Sequence, residues 1–400
     1  IEIPPKFLGR VPVGPLAPGV QASSLEWRGA AGLAEDVRRY ALWMHSEAEK
    51  RIGHLYPKVE ISPEMARSRA DLQGLVGQSL PVIAWLWART VRSPNPAFSH
   101  VDVPLASSFI LSSKEGKEAY IVPEVDGDKY QLVLKLGKPP KSAAEGTKAK
   151  GRGAEFRCVV SKAAISGDYI KAEAQAGRMG AKLMAIVVEG QRTRLYLPAT
   201  DEMTSRAQSA KPVWRPEVEF FQQALGFRVG NYGMTMWSDL FTPRQLVALT
   251  TFSDLVGEAR ARVKQDAVAS GRADDSIALS AGGSGVTAYA DAVSIYLAFV
   301  VSKVSEYSNT LTVWYAREDR PKGLFARQAI PMVWDFPEQN VLGAVGGALL
   351  KSSEIVSNSL SAINSSKCGF ASLADAATDD DAPRSLRFVS TDPPYYDNIG

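Results

Sequence analysis

Residues 386–395 read Leu386-Arg387-Phe388-Val389-Ser390-Thr391-Asp392-Pro393-Pro394-Tyr395, and this stretch decides the fold. Residues 386–390 form a short apolar run that predicts a buried strand. Two prolines end the strand, because proline cannot donate a backbone hydrogen bond. Open α/β sheets place their ligand-binding groups just beyond the carboxyl ends of their strands. The stretch therefore predicts an α/β fold with Asp392 and Tyr395 at its functional site.

Upstream of this stretch, the sequence alternates between helical and strand-like patterns. Apolar residues at helical spacing predict a helix over about residues 29–55, and Thr242-Pro243 is a typical start for a helix that runs to about residue 268. Two more helices are predicted over residues 286–307 and 342–361. Short apolar runs predict strands at residues 108–111, 119–122, 130–136, 156–160, 183–188 and 193–197. The Lys-, Gly- and Ala-rich residues 139–153 predict a mobile loop.

These patterns divide the chain into four predicted regions. Residues 1–70 are expected to hold a linker and a helix that continue the core, and residues 71–211 a β-rich insertion. Residues 212–385 are predicted to be mainly helical and are the candidate region for target recognition, and residues 386–400 hold the strand and its motif. The predicted fold class is therefore α/β, a partial doubly wound fold that carries a large α+β insertion.

Composition narrows the class of protein. Hydrophobic residues make up 45% of the 400 residues and charged residues 22%, as in ordinary globular proteins. No apolar run approaches the roughly 18 residues that a membrane span needs, so no membrane partner is expected. Two cysteines cannot build a disulfide framework, and together with the lack of a secretory leader they predict a cytoplasmic location. The net charge of +3 does not decide whether the partner is a nucleic acid.

The motif Asp392-Pro393-Pro394-Tyr395 suits chemistry at an amino group attached to a nucleobase. Such an amine is a weak nucleophile because its lone pair is delocalised into the ring, so a site must accept its hydrogens and hold it in line with a methyl donor. The Asp392 carboxylate accepts one hydrogen, and a backbone carbonyl freed by the prolines accepts the other. The ring of Tyr395, or of Tyr396 beside it, stacks on a base flipped out of the duplex. A plain strand-to-turn transition is the alternative interpretation.

Longer blocks of sequence carry a family resemblance. They include Ala84-Trp85-Leu86-Trp87-Ala88-Arg89-Thr90, Asp239-Leu240-Phe241-Thr242-Pro243-Arg244-Gln245, Met332-Val333-Trp334-Asp335-Phe336 and Thr391-Asp392-Pro393-Pro394-Tyr395-Tyr396-Asp397-Asn398-Ile399. In these blocks the chain resembles the large bacterial adenine-specific DNA methylases that carry an inserted zinc-ribbon-like region.

The resemblance implies a partial doubly wound methyltransferase fold, S-adenosylmethionine as the cofactor, and adenine N6 of double-stranded DNA as the acceptor. It implies a role in restriction–modification or anti-phage defence, with other subunits of such a system as partners. It also implies that the glycine-rich cofactor loop precedes Ile1, so the chain is expected to be an internal segment that is inactive alone. Cytosine N4 as the acceptor, a non-catalytic DNA-recognition subunit and an RNA substrate remain open alternatives.

Five residues outside the catalytic motif are candidate substrate contacts: Trp237, Arg244, Trp334, Tyr396 and Asn398. For Trp237 and Arg244 the alternative is a role in the core, and for the polar and aromatic residues 334–340 it is a structural role. A basic loop formed by Lys138, Lys141, Lys148, Lys150 and Arg152 is a candidate contact for the DNA backbone. Where a zinc ribbon would offer cysteine pairs, this chain has Ser93-Pro94-Asn95-Pro96 and Cys158-Val159-Val160-Ser161, so no metal site is predicted.

Overall fold

Helices and antiparallel sheets share the part of the chain that the computed structural model describes, which covers residues 2–16, 27–149, 153–191, 193–221, 226–326, 329–364, 366, 367 and 369. The helices are α1 (Ala31–Ile52), α2 (Pro63–Ala66), α3 (Lys141–Glu145), α4 (Gly167–Gln175), α5 (Asp201–Gln208), α6 (Pro243–Ala269), α7 (Val286–Tyr307) and α8 (Leu349–Ser361). The strands are β1 (Val59–Glu60), β2 (Ser79–Leu80), β3 (Val82–Arg92), β4 (Asp102–Leu105), β5 (Ile110–Ser112), β6 (Ala119–Asp126), β7 (Lys129–Leu136), β8 (Phe156–Arg157), β9 (Ala164–Ile165), β10 (Gly180–Gly190), β11 (Thr193–Pro198), β12 (Val313–Tyr315), β13 (Arg320–Lys322) and β14 (Asp335–Gln339).

The four long helices α1, α6, α7 and α8 pack around one another, with α1 and α7 each in contact with both α6 and α8. On α1 the apolar stripe that predicted the helix, which includes Leu33, Val37, Tyr40 and Met44, is fully buried. α7 is the one helix in the described part that is long and apolar enough to cross a membrane by length and composition. One of its faces packs into the helical core, as in the core helix of a globular protein.

The predicted start of α6 is confirmed, and that of α8 is wrong. The Thr242 hydroxyl accepts a hydrogen bond from the Gln245 backbone, and the Gln245 side chain accepts one from the Thr242 backbone, which completes a capping box before Pro243. α8 was expected near residue 342 but begins at Leu349. Gly347 has a φ of +86°, a left-handed conformation that an α-helix cannot continue through.

The main sheet has five strands, and all of its pairings are antiparallel. β3 lies at its centre and pairs with β10 along one edge. Along the other edge β14 pairs with its first half and β4 with its second half. β14 follows residue 211 in the sequence, so the sheet joins strands from the predicted insertion and from the predicted helical region. The pairings within the described part are antiparallel throughout, so the doubly wound parallel core remains a proposal for the chain.

β3 is apolar along most of its length because the sheet is covered on both faces. Trp85 and Trp87 pack into the helical core, whereas Leu86 and Ala88 pack into a second core beneath the three-stranded sheet β5–β6–β7. Residues 139–153 were predicted to form a mobile loop, but within residues 139–149 the structure has the short helix α3. α3 is anchored there by the buried Ala143, whose carbonyl accepts a 2.7 Å hydrogen bond from the Phe109 backbone.

Candidate functional site

The predicted catalytic residues Asp392, Pro393, Pro394 and Tyr395, and the predicted substrate contacts Tyr396 and Asn398, lie outside the described residues. Three of the predicted substrate contacts, Trp237, Arg244 and Trp334, lie inside them.

Arg244 is a core residue in the first turn of α6, with no exposed surface. Its guanidinium donates to Glu338 through Nε (3.1 Å to Oε1) and Nη2 (2.8 Å to Oε2), and its Nη1 donates to the Leu55 carbonyl at 3.0 Å. The guanidinium carbon lies 3.8 Å from the centre of the Trp85 ring. Every face of the cation is therefore occupied by protein, and the prediction that Arg244 contacts DNA is wrong for this structure.

Glu338 completes the same buried pair from β14, with 1% of its side chain exposed. Besides Arg244, its Oε2 accepts from Trp87 Nε1 at 3.0 Å and its Oε1 accepts from the Thr242 hydroxyl at 2.6 Å. A buried carboxylate needs this many partners, because an unpaired charge away from water is costly. The Arg244–Glu338 pair thus fastens α6 to β14 and β3.

The two predicted tryptophans lie in two other clusters of side chains. Trp334 is 8% exposed and lies edge-on between Phe156 and Tyr232, with ring centres 5.2 and 5.1 Å away. Trp237 is half-buried and packs on Phe220 at 5.6 Å. Arg244, Trp237 and Trp334 therefore do not form one site.

The polar and aromatic residues 334–340 are split between opposite faces of the sheet, as alternation along β14 requires. Phe336 packs with the helical core, on the side where Glu338 meets Arg244. Asn340, just past the strand, is buried and donates to the Val82 carbonyl at 3.0 Å. Asp335 instead lines an open pocket on the other face.

The Asp335 pocket has a volume of about 370 Å³, in the lower part of the roughly 300–1,000 Å³ range of small-molecule sites. The residues that give it its chemistry are Ser107, Ser108, Trp314, Tyr315, Arg317 and Asp335. Asp335 Oδ2 accepts a 2.7 Å hydrogen bond from the Ser107 backbone. Burial raises the pKa of Asp335, since desolvation disfavours the carboxylate, and the hydrogen bonds from Ser107 and the charge of Lys148 offset part of that effect.

A larger cleft, of about 790 Å³, lies at the base of the basic loop that the sequence singled out. It is lined by the cations Lys148, Arg157 and Lys162 and by the anions Glu145 and Glu155. We call it the basic cleft. Lys150 and Arg152 of the loop lie outside the described residues. Lys148, which lines this cleft, is also the cation whose charge offsets part of the rise in the pKa of Asp335.

Sequence reasoning missed the partners of Asp335 in its pocket. Ser107 is an ordinary polar residue in a strand-rich region, and nothing in its neighbourhood predicts a hydrogen bond to residue 335. Trp314-Tyr315 is an aromatic pair several residues past the end of α7 at Tyr307, and Arg317 follows it closely. Their convergence depends on long-range pairing, which local patterns do not encode.

The positions that a zinc ribbon would fill with cysteines do meet in the structure, but with the wrong chemistry for zinc. Cys158 is fully buried, and its sulfur accepts a 3.4 Å hydrogen bond from the Ser161 backbone. Burial alone would raise the pKa of Cys158, but hydrogen bonds from Ser161 and Ser93 outweigh it and lower the pKa. Among the described residues, no three His, Cys, Asp or Glu side chains are placed to hold a metal ion.

Neither glycine-rich segment in the described part forms a cofactor cradle. At residues 282–285 the Asp275 carboxylate already accepts from the backbones of Ser284 (2.9 Å) and Gly285 (3.0 Å), the groups that would otherwise hold a phosphate or ribose. At residues 343–347 a Cβ on Gly347 would lie 2.5 Å from the Tyr307 ring, so this segment is packed on protein. These residues do not fit S-adenosylmethionine.

No protein-family model, curated protein or solved structure gives a significant match to this chain.

Proposed function

We propose that this chain is the target-base side of an S-adenosylmethionine-dependent DNA methyltransferase that acts on adenine N6 of double-stranded DNA. The observation that carries the proposal is Asp392-Pro393-Pro394-Tyr395 after the apolar run 386–390. In the proposed setting the protein works in the cytoplasm, in a restriction–modification or anti-phage system with other subunits. The doubly wound methyltransferase core belongs to the same proposal.

The proposed roles of the motif residues follow from the chemistry of the target amine, which is a weak nucleophile because its lone pair is delocalised into the base. The Asp392 carboxylate accepts an amino hydrogen of the target base and so returns electron density to the nitrogen. Pro393 and Pro394 fix the backbone and leave a carbonyl free for the second hydrogen. Tyr395 stacks on the flipped base and fixes its orientation. When bound, S-adenosylmethionine supplies the methyl group, and neither glycine-rich segment of the described part fits it.

The basic cleft supports DNA as the partner. Lys148, Arg157 and Lys162 place three cations along one cavity against the two anions Glu145 and Glu155, and Lys150 and Arg152 follow Lys148 closely in the sequence. Cations on a protein surface bind the phosphate backbone without regard to sequence and release counterions as they do so. A surface of this kind positions a duplex, and base contacts elsewhere then select the target.

The test is methyl transfer by the full-length protein that contains this chain. The protein is incubated with DNA and S-adenosylmethionine carrying a labelled methyl group, and the DNA is digested to nucleosides. We expect label in N6-methyladenine. Label in N4-methylcytosine would contradict the choice of base, and DNA binding without any transfer would favour a non-catalytic recognition subunit.

A pair of variants separates the motif from its surroundings. Asp392→Ala removes the acceptor for the amino hydrogen and should lower the transfer rate by roughly 100-fold or more, the scale of losing one preorganised hydrogen bond in a transition state. Asp380→Ala removes an acidic side chain twelve residues upstream and should leave the rate near that of the parent. Equal rates for Asp392→Ala and the parent would contradict the mechanism.

A further inference from the structure

The Asp335 pocket has the make-up of a nucleotide site. Its floor is formed by Leu86 of β3 and Met184 of β10, and its wall by β12. Trp314 on that wall is held in place, because its Nε1 donates to the Leu111 carbonyl at 2.8 Å. A fixed, half-buried indole is a surface on which any nucleobase can stack.

The carboxylate in the pocket selects among bases. Within the described part, Ser107 supplies the hydrogen bonds that Asp335 receives, and a carboxylate has acceptor sites for more than these. An ionised carboxylate accepts but cannot donate, so it favours a base with an amino group, as in adenine, cytosine and guanine. Thymine presents its O4 carbonyl where cytosine presents its amino group, so only its ring N3–H is left to donate to the carboxylate.

An arginine at the pocket offers a binding group for the phosphate of a nucleotide. Arg317 lines the pocket, is exposed, and has no hydrogen bond or ion pair with another described residue. Its guanidinium matches a phosphate oxygen pair in geometry and charge. Arg320, three residues along the same hairpin, is bonded to Glu318 instead and lies outside the pocket.

We propose that the Asp335 pocket binds one unpaired, amino-bearing nucleotide of DNA, with the base stacked on Trp314, its amino group donating to Asp335 and its phosphate on Arg317. The inference rests on the proposed function for its choice of DNA as the ligand. The pocket acts in recognition, at a distance in sequence from the motif at residues 392–395. Its occupant is a base displaced from the duplex next to the target, or a mismatched one.

The experiment measures binding of the full-length protein to a fluorescent DNA duplex with one bulged nucleotide, by anisotropy. All proteins carry Asp392→Ala, so that the methylation motif does not contribute to base selection. We expect bulged deoxyadenosine and deoxycytidine to bind roughly five-fold or more tightly than bulged thymidine, the scale of one hydrogen bond to a charged group. Equal affinity for the three bulges would overturn the proposal.

Three variants assign the roles. Asp335→Asn keeps an oxygen for the Ser107 backbone and should retain the melting temperature of the parent. It should lose the preference for bulged deoxyadenosine and deoxycytidine over bulged thymidine. Arg317→Gln should weaken the binding of all three bulged duplexes equally, whereas Arg320→Gln should leave their binding unchanged. A preference that survives Asp335→Asn would refute the pocket assignment. Methyl transfer is measured separately, on the protein that retains Asp392. Transfer by that protein without bulge selection by the Asp392→Ala protein would contradict this inference alone, and bulge selection without any transfer would contradict the proposed function alone.

Discussion

The buried Arg244–Glu338 pair makes a sharp prediction, because either partner left alone would be a buried charge. Glu338→Gln keeps an amide oxygen for only one of Trp87 and Thr242, which donate to different oxygens of Glu338, and it leaves the Arg244 cation without its counter-charge. Removing one partner of a buried pair costs about 3–5 kcal/mol, so we expect this loss in the free energy of unfolding. Arg244→Met should cost a similar amount, since it leaves Glu338 ionised with 1% of its side chain exposed.

The double variant Arg244→Met/Glu338→Leu should be far less destabilised than the sum of the single changes. Replacing both charges with apolar groups of similar size removes the desolvation cost of both, and such replacements are often neutral. The expected coupling between the two sites is therefore about 2 kcal/mol or more. Arg51 and Glu258 provide the matched control: they join α1 and α6 at 2.7 Å with both side chains about 40% exposed. Arg51→Met should cost about 1 kcal/mol or less.

Urea unfolding followed by tryptophan fluorescence measures these differences, provided the slope with denaturant stays constant. If Arg244 instead contacted DNA directly, Arg244→Met would leave the unfolding free energy near that of the parent and weaken DNA binding. A loss of unfolding free energy in the double variant equal to the sum of the two single losses would also refute the prediction.

Three further predictions follow from other buried positions. Gly32→Ala should lower the free energy of unfolding by roughly 1–3 kcal/mol, since its Cβ would lie 1.7 Å from the Arg10 carbonyl oxygen. Gly257→Ala on the open face of α6 should instead raise it by about 0.5–1 kcal/mol. Equal effects of the two changes in thermal melts would contradict this. Burial raises the pKa of Asp36 above its usual 3.8, so the folded state holds that proton more tightly and the free energy of unfolding falls as pH rises through the window above 3.8. Asp36→Asn should remove this fall. A difference in unfolding free energy between the parent and Asp36→Asn that stays constant from acid to neutral pH would refute the prediction. Chelation with EDTA should leave the melting temperature unchanged, because the cluster at Cys158 holds one thiol and a structural zinc ion needs four ligands. A lowered melting temperature together with released zinc would contradict this prediction.

The sequence predicts best those features that local periodicity and capping control. The apolar stripe of α1 and the Thr242 cap of α6 need only neighbours a few residues away, and both were placed to within a few residues. β3 was not among the predicted strands, and its place at the centre of the sheet depends on partners as distant as β14. The order of residues 139–149 was missed for the same reason: Ala143 is held by Phe109, far upstream in the sequence.

The candidate site was harder to predict because charged residues look alike in sequence whether they pair with protein or with ligand. Arg244 was expected to contact DNA, yet its partner Glu338 is 94 residues away within the same chain. Asp335 and Glu338 are three residues apart on one strand, and the pleat sends them to opposite faces. Only the pairing of β14 with β3 decides which carboxylate is free to bind a ligand.

That pairing leads to a final prediction, on the role of the buried pair in the register of β14. A one-residue slip against β3 would turn Asp335 towards the helices and Glu338 towards the pocket. The four hydrogen bonds that Glu338 receives from Arg244, Trp87 and Thr242 exist only in the observed register, so we infer that the pair specifies it. The Arg244→Met/Glu338→Leu variant should then fold stably but select poorly among bulged nucleotides, because part of the population would hold Asp335 out of its pocket. Full selectivity in that variant would show that the apolar residues of β14 fix the register by themselves, and the pair would be left with a role in stability alone.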